Sequence, residues 1–156
     1  MITVSTSKAA GAGEDESGAL LREWVERIGL ELAGSEVIPD DQDRISERLR
    51  HWADQESCTL IVTTGGTGFT PSDRTPEATR AVIERDAPGI GEAMRAASRE
   101  HTRHWMLSRA VAGIRGATLI VNLPGNPKAI AETADALAEA LPHGLRLLAG
   151  QHDPHH

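Results

Sequence analysis

Short β-rich apolar runs alternate along the chain with longer segments of helical periodicity. The runs predicted as strands cover residues 2–5, 35–38, 59–64 and 117–122. Between them, apolar side chains recur every three or four residues, as in helices that pack one face against a core. Alternating strands and helices are typical of α/β proteins with a largely parallel sheet. The pattern therefore predicts an α/β fold, a three-layer α/β/α sandwich with a mostly parallel sheet.

Start and stop signals delimit the predicted helices. Apolar residues from Leu20 to Ile28 have helical spacing, and Gly29 follows as a stop signal. Thr75-Pro76-Glu77 offers an N-cap, a proline at the first helical position and an acid in the first turn. Residues 5–13 are predicted as a flexible loop, and further helices over residues 45–52, 75–83, 88–100, 128–141 and 145–148.

Length and composition favour a single domain. A chain of 156 residues with 39% hydrophobic and 25% charged residues can bury a sizeable core without metals or disulfides. We assign residues 1–150 to one domain and residues 151–156 to a flexible tail. The tail contains His152, His155 and His156, for which metal binding would be adventitious.

Charge and hydropathy exclude several classes of function. The formal net charge is −7, so the chain lacks the excess of basic residues that is typical of a nucleic-acid-binding protein. No apolar run approaches the roughly 20 residues needed to span a bilayer, and the start of the chain lacks a signal-peptide core. Cys58 is the only cysteine, which excludes an internal disulfide. These features predict a cytoplasmic protein with no membrane or nucleic-acid partner.

Four unusual loops follow the four predicted strands. They cover residues 5–15, 39–41, 65–73 and 122–127. Ligands of open α/β sheets bind outside the carboxyl ends of the strands, and parallel strands end at the same edge. We therefore expect these four loops to meet at one site.

The strongest predicted strand ends in Gly65-Gly66-Thr67-Gly68. Glycines let the backbone approach a ligand closely, and successive amide donors suit phosphate oxygens. A tight strand exit without a ligand explains the glycines equally well. A Walker A loop is excluded, because the only lysines are Lys8 and Lys128 and neither follows a suitable glycine loop.

Two carboxylates, Asp40 and Asp73, follow predicted strand ends. Bare carboxylates would repel a polyphosphate, so the pair is useful only with a divalent cation such as Mg²⁺. The alternatives are structural: Asp40 or Asp41 caps the next helix, and Asp73 shapes a turn.

Further polar side chains are candidates for ligand contacts. Asn122 follows a buried strand and could bond a polar ring, although a structural turn explains the segment equally well. Arg109 could meet a phosphate or a neighbouring subunit. His101 and His104 could share a helix face, but a solvated or packed role is favoured because no third metal ligand is in view.

Taken together, these segments resemble the MogA/MoaB family of molybdenum-cofactor biosynthesis, which includes the G domain of gephyrin. The resemblance covers nearly the whole chain. It rests on Glu14-Asp15-x-Ser17-Gly18, Pro39-Asp40-Asp41, the segment from Thr63 to Pro71 with Asp73, Thr75-Pro76-Glu77-Ala78-Thr79, Met106-Leu107-Ser108-Arg109 with Ala112-Gly113, and the segment from Asn122 to Pro127.

The resemblance implies molybdopterin adenylyltransferase activity, in which molybdopterin and Mg-ATP give adenylyl-molybdopterin and pyrophosphate. Asp40 and Asp73 would be the catalytic residues and hold the metal. The resemblance also implies that the chain forms a homotrimer and that a molybdate-insertion enzyme is its partner. The implied substrate-binding residues are Gly65, Gly66, Thr67, Gly68, Thr75, Glu77, Ser98, Ser108, Asn122, Pro124 and Gly125.

Two departures from the family pattern keep a second function open. Relatives commonly carry Ser-Asp where this chain has Ser5-Thr6, and Arg-Asp where it has Ser72-Asp73. The alternative is a non-catalytic subunit that binds molybdopterin and passes it to a partner of the same pathway.

Overall fold

The structure is a computed structural model and describes residues 1–151. In that range the strands are β1 (Ile2–Val4), β2 (Glu36–Ile38), β3 (Leu60–Thr64), β4 (Arg85–Asp86), β5 (Ala112–Arg115) and β6 (Thr118–Leu123). The α-helices are α1 (Thr6–Ala9), α2 (Glu16–Arg27), α3 (Gln42–Arg50), α4 (Thr75–Arg80), α5 (Pro88–Ser98), α6 (Pro127–Leu137) and α7 (Ala140–Leu148). A π-helical turn covers His51–Gln55, and a 3-10 turn covers Trp105–Leu107.

The strands form one mixed sheet in the order β2-β1-β3-β6-β5-β4. The pairs β1–β2, β1–β3 and β3–β6 are parallel, whereas β5 pairs antiparallel with both β6 and β4. All six residues of β6 are buried, as expected for a strand covered on both faces. The predicted strands are thus confirmed as the parallel part of the sheet.

Two apolar clusters lie on opposite faces of this sheet. Neighbouring residues of one strand belong to different clusters, because successive side chains in a strand point to opposite faces. Ile61 and Ile120 pack with α3 and α4, and Val62 and Val121 pack with α2, α5, α6 and α7. The three-layer arrangement of helices, sheet and helices is therefore confirmed.

Several elements differ from the sequence prediction. Residues 6–9 form a short helix inside the predicted loop, because the Ser5 side chain accepts a hydrogen bond from the Lys8 N–H and caps that turn. Helix α4 ends at Arg80 instead of continuing to residue 83. The predicted helix over residues 128–141 is divided into α6 and α7.

Strands β4 and β5 were not predicted. Their sequences are short, and β5 contains Gly113, which weakens a strand pattern. A Cβ atom at Gly113 would lie 2.5 Å from Ile83 Cδ1 and 2.9 Å from the Arg85 carbonyl oxygen. The glycine therefore allows the close packing of the antiparallel edge, a requirement that arises only in three dimensions.

Two predictions from the sequence concern the tail of the chain and membrane-spanning helices. Except for Gln151, the predicted tail over residues 151–156 lies outside the described residues. Across residues 1–151, no helix has the length and apolar character needed to cross a membrane. Cys58 is half-buried, and burial raises the pKa of its thiol.

Candidate functional site

The four loops predicted to meet do lie together at the carboxyl edge of the parallel strands. The Thr6 N–H and hydroxyl both donate to Asp40 Oδ2, at 3.3 Å each, and join the first loop to the second. A Cβ atom at Gly125 would lie 3.1 Å from Gly65 Cα, so the third and fourth loops are in close contact. The Ser17 hydroxyl donates to the Gly125 carbonyl at 2.7 Å and ties α2 to the same edge.

The glycine loop has a backbone that other residues would strain. Gly65 and Gly66 have φ of +95° and +69°, in the region that favours glycine. A Cβ atom at Gly65 would lie closer than 3.0 Å to the Val4 carbonyl oxygen, and one at Gly66 equally close to Thr75 Oγ1. The loop is therefore bent and closely packed where it leaves β3.

Thr75 supports this loop from below. Its N–H donates to the Gly66 carbonyl at 3.1 Å, and its hydroxyl donates to the Gly65 carbonyl at 2.9 Å. The side chain is completely buried, so the hydroxyl serves the loop backbone. The N-cap position of α4 belongs to Arg74 rather than Thr75, and Arg74 makes no capping hydrogen bond through its side chain.

Asp40 is left available because its neighbour caps the following helix. Asp41 is the N-cap of α3 and accepts a hydrogen bond from the Arg44 N–H at 2.8 Å. Asp40 Oδ1 faces the glycine loop, since a Cβ atom at Gly66 would lie 3.2 Å from it. Of the two residues proposed to cap the next helix, Asp40 and Asp41, it is therefore Asp41 that does so.

Asp73 combines a structural role with exposure toward the glycine loop. Its Oδ2 accepts hydrogen bonds from the Thr70 N–H at 2.9 Å and the Thr70 hydroxyl at 2.7 Å, which closes a turn. The same oxygen would lie 2.8 Å from a Cβ atom at Gly68. Within residues 1–151, Asp40 and Asp73 form no ion pair, so both negative charges remain available.

Arg109 is directed into the protein. Its Nε donates to the Gly68 carbonyl at 2.7 Å, and its Nη2 donates to the Asp73 carbonyl at 2.8 Å. Its Nη1 donates to Glu77 Oε1 in an ion pair. The hydrogen bond from Arg109 is the main reason that the pKa of Glu77 lies below its ordinary value. The prediction that Arg109 contacts a phosphate or a subunit missed this contact with the glycine loop.

Asn122 is inside the sheet. It has no exposed surface, and its Nδ2 donates to the hydroxyls of Thr63 at 3.0 Å and Thr79 at 2.9 Å. Its Oδ1 accepts a hydrogen bond from the Val111 N–H at 3.2 Å. Because the amide is fully enclosed, the side chain joins β3, α4 and the start of β5, which corrects the expectation that it is available to a polar ring.

The remaining candidate residues lie at different distances from the loops. Pro124 belongs to the edge, since its carbonyl accepts a hydrogen bond from the Thr64 hydroxyl at 2.7 Å. Ser108 is half-buried and adjoins Arg109. Ser98 ends α5, and its carbonyl accepts hydrogen bonds from the N–H groups of His101 and Thr102, so no polar contact brings it to the glycine loop.

A metal site made by the protein alone is not present in the described part of the chain. No group of three His, Cys, Asp or Glu side chains among residues 1–151 is arranged to hold a metal ion. His101 was considered above as a metal ligand, and its Nδ1 lies 3.6 Å from Glu132 Oε1. Asp40 and Asp73 alone could contribute one or two carboxylates to an ion that arrives with a phosphate ligand.

Two residues organise the site through hydrogen bonds, a role that the sequence analysis did not assign to them. Thr6 hydrogen bonds to Asp40, and Arg109 hydrogen bonds to the glycine loop and to Asp73. The signal that could have pointed to Thr6 is Ser5, which caps the four-residue helix that begins at Thr6. For Arg109 the sequence offered a position but no partner, because the groups it contacts are more than thirty residues away.

The comparisons with known proteins agree with this architecture. Residues 1–143 match the family model described as a probable molybdopterin binding domain. Molybdopterin adenylyltransferase of Haemophilus influenzae is 38% identical, and the match covers 96% of this chain and 83% of that protein. The molybdenum cofactor synthesis protein cinnamon of Drosophila melanogaster is 40% identical over 95% of this chain, which spans only 25% of that longer protein.

A solved structure gives the same result. The molybdopterin biosynthesis enzyme MoaB of Thermus thermophilus superimposes with a TM-score of 0.90 at 45% identity. The superposition covers 96% of this chain and 94% of that chain. The resemblance to MogA and MoaB is therefore confirmed, and the chain belongs to the molybdopterin-binding domain family of molybdenum cofactor biosynthesis.

Proposed function

We propose that the protein adenylylates molybdopterin with Mg-ATP. The observation that carries this proposal is that Asp40 and Asp73, which form no ion pair within residues 1–151, face a loop whose bend at Gly65 and Gly66 requires glycine. Further support comes from the Haemophilus influenzae relative, which is named molybdopterin adenylyltransferase and is matched over most of its length.

The proposed reaction is a nucleotidyl transfer. An oxygen of the terminal phosphate of molybdopterin attacks the α-phosphorus of ATP, and the bond between the α-phosphorus and the bridging oxygen breaks. Pyrophosphate leaves with the bonding electrons, and adenylyl-molybdopterin remains. Catalysis of such a step depends mainly on positioning and on stabilising negative charge.

The two carboxylates suit a magnesium ion that is shared with the nucleotide. Mg²⁺ is usually bound through one or two carboxylates together with substrate phosphates and water, rather than by a cage of protein ligands. Asp40 and Asp73 would supply those carboxylates, and the cation would neutralise charge on the phosphates. Thr6 and Thr70 keep the two carboxylates oriented through hydrogen bonds.

The other candidate residues divide into two proposed roles. Backbone N–H groups of Gly66, Thr67 and Gly68 would bind phosphate or pterin oxygens, whereas the Gly65 N–H already donates to the Leu123 carbonyl at 3.2 Å. Ser108, Pro124 and Gly125 would border the pterin, and Ser98 would lie apart from it, because no polar contact joins Ser98 to the glycine loop. Thr75, Glu77 and Asn122 would support the site without contacting substrate, because their polar groups are hydrogen bonded to protein partners.

Pyrophosphate release from protein supplied with molybdopterin, Mg²⁺ and ATP tests the proposal. We expect Asp73→Asn to lower the rate on the order of 100-fold, as loss of one electrostatic contact to a transition state often does. Asp43→Asn is the matched control, because Asp43 is exposed in the first turn of α3 and should leave the rate unchanged. Molybdopterin binding without pyrophosphate release in the wild type would contradict the transferase and favour the carrier.

We also propose that the chain forms a homotrimer and delivers its product to a molybdate-insertion enzyme. Phe69, Met106 and Leu107 are 67%, 62% and 42% exposed, and exposed apolar patches often mark interaction surfaces. Their segments adjoin, since the Arg109 N–H donates to the Thr67 carbonyl at 3.0 Å. An interface here would place a neighbouring copy beside the glycine loop.

A further inference from the structure

We infer that Arg109 is a positioning residue for the proposed reaction, and that it sets the distance between the glycine loop and Asp73 without touching substrate. The inference rests on the proposed function, since it concerns the same site. The position of the loop itself can be measured without turnover.

One guanidinium joins three parts of the site. Its Nε donates a hydrogen bond to the Gly68 carbonyl at the end of the glycine loop. Its Nη2 donates to the Asp73 carbonyl at the end of the following turn. Glu77, in the first turn of α4, accepts from Nη1 and so fixes the rotation of the planar group. The Arg109 main chain adds a fourth point, because its N–H donates to the Thr67 carbonyl at 3.0 Å.

These contacts matter because the loop and the carboxylate are almost touching. A Cβ atom at Gly68 would lie 2.8 Å from Asp73 Oδ2, so no space separates the loop backbone from the carboxylate proposed to hold the metal. A shift of the Gly68 carbonyl relative to the Asp73 carbonyl would therefore move the carboxylate relative to the amide donors. Misplacement by about 1 Å can cost on the order of 100-fold in rate.

Lysine cannot reproduce this arrangement. The three side-chain contacts of Arg109 point in different directions from a rigid planar fork, whereas a lysine ammonium is a single point charge on a flexible stem. Arg109→Lys keeps the charge beside Glu77 but loses the simultaneous bonds to Gly68 and Asp73. The substitution thus separates positioning from electrostatic attraction.

Arg115 provides a matched control. Its Nε and Nη2 bond the Asp54 carboxylate at 2.9 Å and 2.8 Å, and its Nη1 bonds the Val82 carbonyl at 2.9 Å. The side chains of Arg115 and Arg109 are exposed to similar extents, 25% and 29%. Arg115→Lys therefore breaks the same kinds of bond in β5, away from the glycine loop.

The kinetic test compares the two lysine variants. We expect Arg109→Lys to lower kcat by roughly 10- to 100-fold and to raise the Mg²⁺ concentration needed for half-maximal rate, with Tm changed no more than in Arg115→Lys. Equal kcat and equal Mg²⁺ dependence in the two variants would overturn the inference. Glu77→Gln, which keeps an acceptor for Arg109, should lower kcat less than Arg109→Lys does.

A readout independent of turnover separates this inference from the proposed function. Amide hydrogen exchange at Thr70 and Arg109 reports the loop, because the Thr70 N–H bonds Asp73 and the Arg109 N–H bonds Thr67. Faster exchange at both amides in Arg109→Lys but not in Arg115→Lys supports loop positioning even if the wild type releases no pyrophosphate. Unchanged exchange would overturn it even if the wild type is an active transferase.

Discussion

Gly65 and Gly116 share a positive φ but differ in what surrounds them. Gly65 has φ of +95°, and a Cβ atom there would lie closer than 3.0 Å to the Val4 carbonyl oxygen. Gly116 has φ of +56°, and no atom lies within 4 Å of a Cβ atom built there. At Gly116 only the backbone conformation requires glycine. At Gly65 both the conformation and the close contact with Val4 require it.

This difference predicts unequal effects of two alanine substitutions. Gly116→Ala should lower the free energy of unfolding by about 1 to 2 kcal/mol, the cost of a left-handed conformation. Gly65→Ala should cost roughly 3 to 5 kcal/mol, because the backbone of β1 or of the loop must also move. Urea unfolding of both variants measures this, and equal losses would contradict the contact with Val4.

At the same scale, the ion pair between Glu77 and Arg109 predicts an acid dependence of stability. The pKa of Glu77 in the folded protein is lowered from 4.5, so its stabilisation is complete above about pH 4.5 and is lost as the pH falls through the lowered folded value. Urea unfolding between pH 7 and pH 3 should show a smaller loss of stability for Glu77→Gln than for wild type. An identical acid-side slope in both proteins would exclude a contribution from Glu77.

Asn122 shows how one polar side chain connects several elements. It extends from β6 to Thr63 on β3, Thr79 on α4 and the Val111 N–H before β5. A buried amide is tolerated there because both of its N–H groups and its oxygen have partners. The junction of the parallel and antiparallel parts of the sheet depends on this network.

The network predicts that Asn122→Ala acts through stability. Removing the amide leaves several buried polar groups without partners, so the free energy of unfolding should fall by about 2 to 4 kcal/mol. Asn126→Ala, which removes only the side-chain cap of α6, should cost about 1 kcal/mol. Thermal unfolding of the two variants compares them, and a loss for Asn122→Ala no larger than that for Asn126→Ala would show that the network is not stabilising.

For the whole molecule, the exposed apolar side chains beside the site are the feature that the single chain does not explain. Phe69, Met106 and Leu107 lie on segments joined through the backbone of Thr67 and Arg109, and the Arg109 side chain donates a hydrogen bond to the Asp73 carbonyl. Leu147 is 46% exposed and lies on α7, which borders a cavity with Thr59, at the opposite end of β3 from the glycine loop. The two regions can therefore be compared directly.

If copies of the chain associate beside the site, Leu107→Glu should reduce the mass in solution from three chains toward one. A charge buried at an interface without a partner is strongly unfavourable. Leu147→Glu is the control and should leave the mass unchanged. Sedimentation equilibrium provides the measurement, and a Leu107→Glu protein with the wild-type mass would place the interface elsewhere.

Much of the site could be predicted because its polar residues follow strand ends. Asp40, Asp73 and the loop from Gly65 to Gly68 were identified from their positions after short apolar runs, and the structure brings these segments to one edge. The roles of Asn122 and Arg109 could not be predicted in this way. Their polar atoms are directed toward partners on other elements, which no local pattern specifies.

The α/β class, the parallel strands and most of the helices between them were predictable from the chain, because apolar periodicity and capping are local properties. The antiparallel pairing of β4 and β5 arises only in the folded chain, since these short segments gain stability only through pairing. Folding also sets which polar side chains face the site and which support it. That distinction depends on distances between residues remote in the chain, as between Arg109 and Gly68.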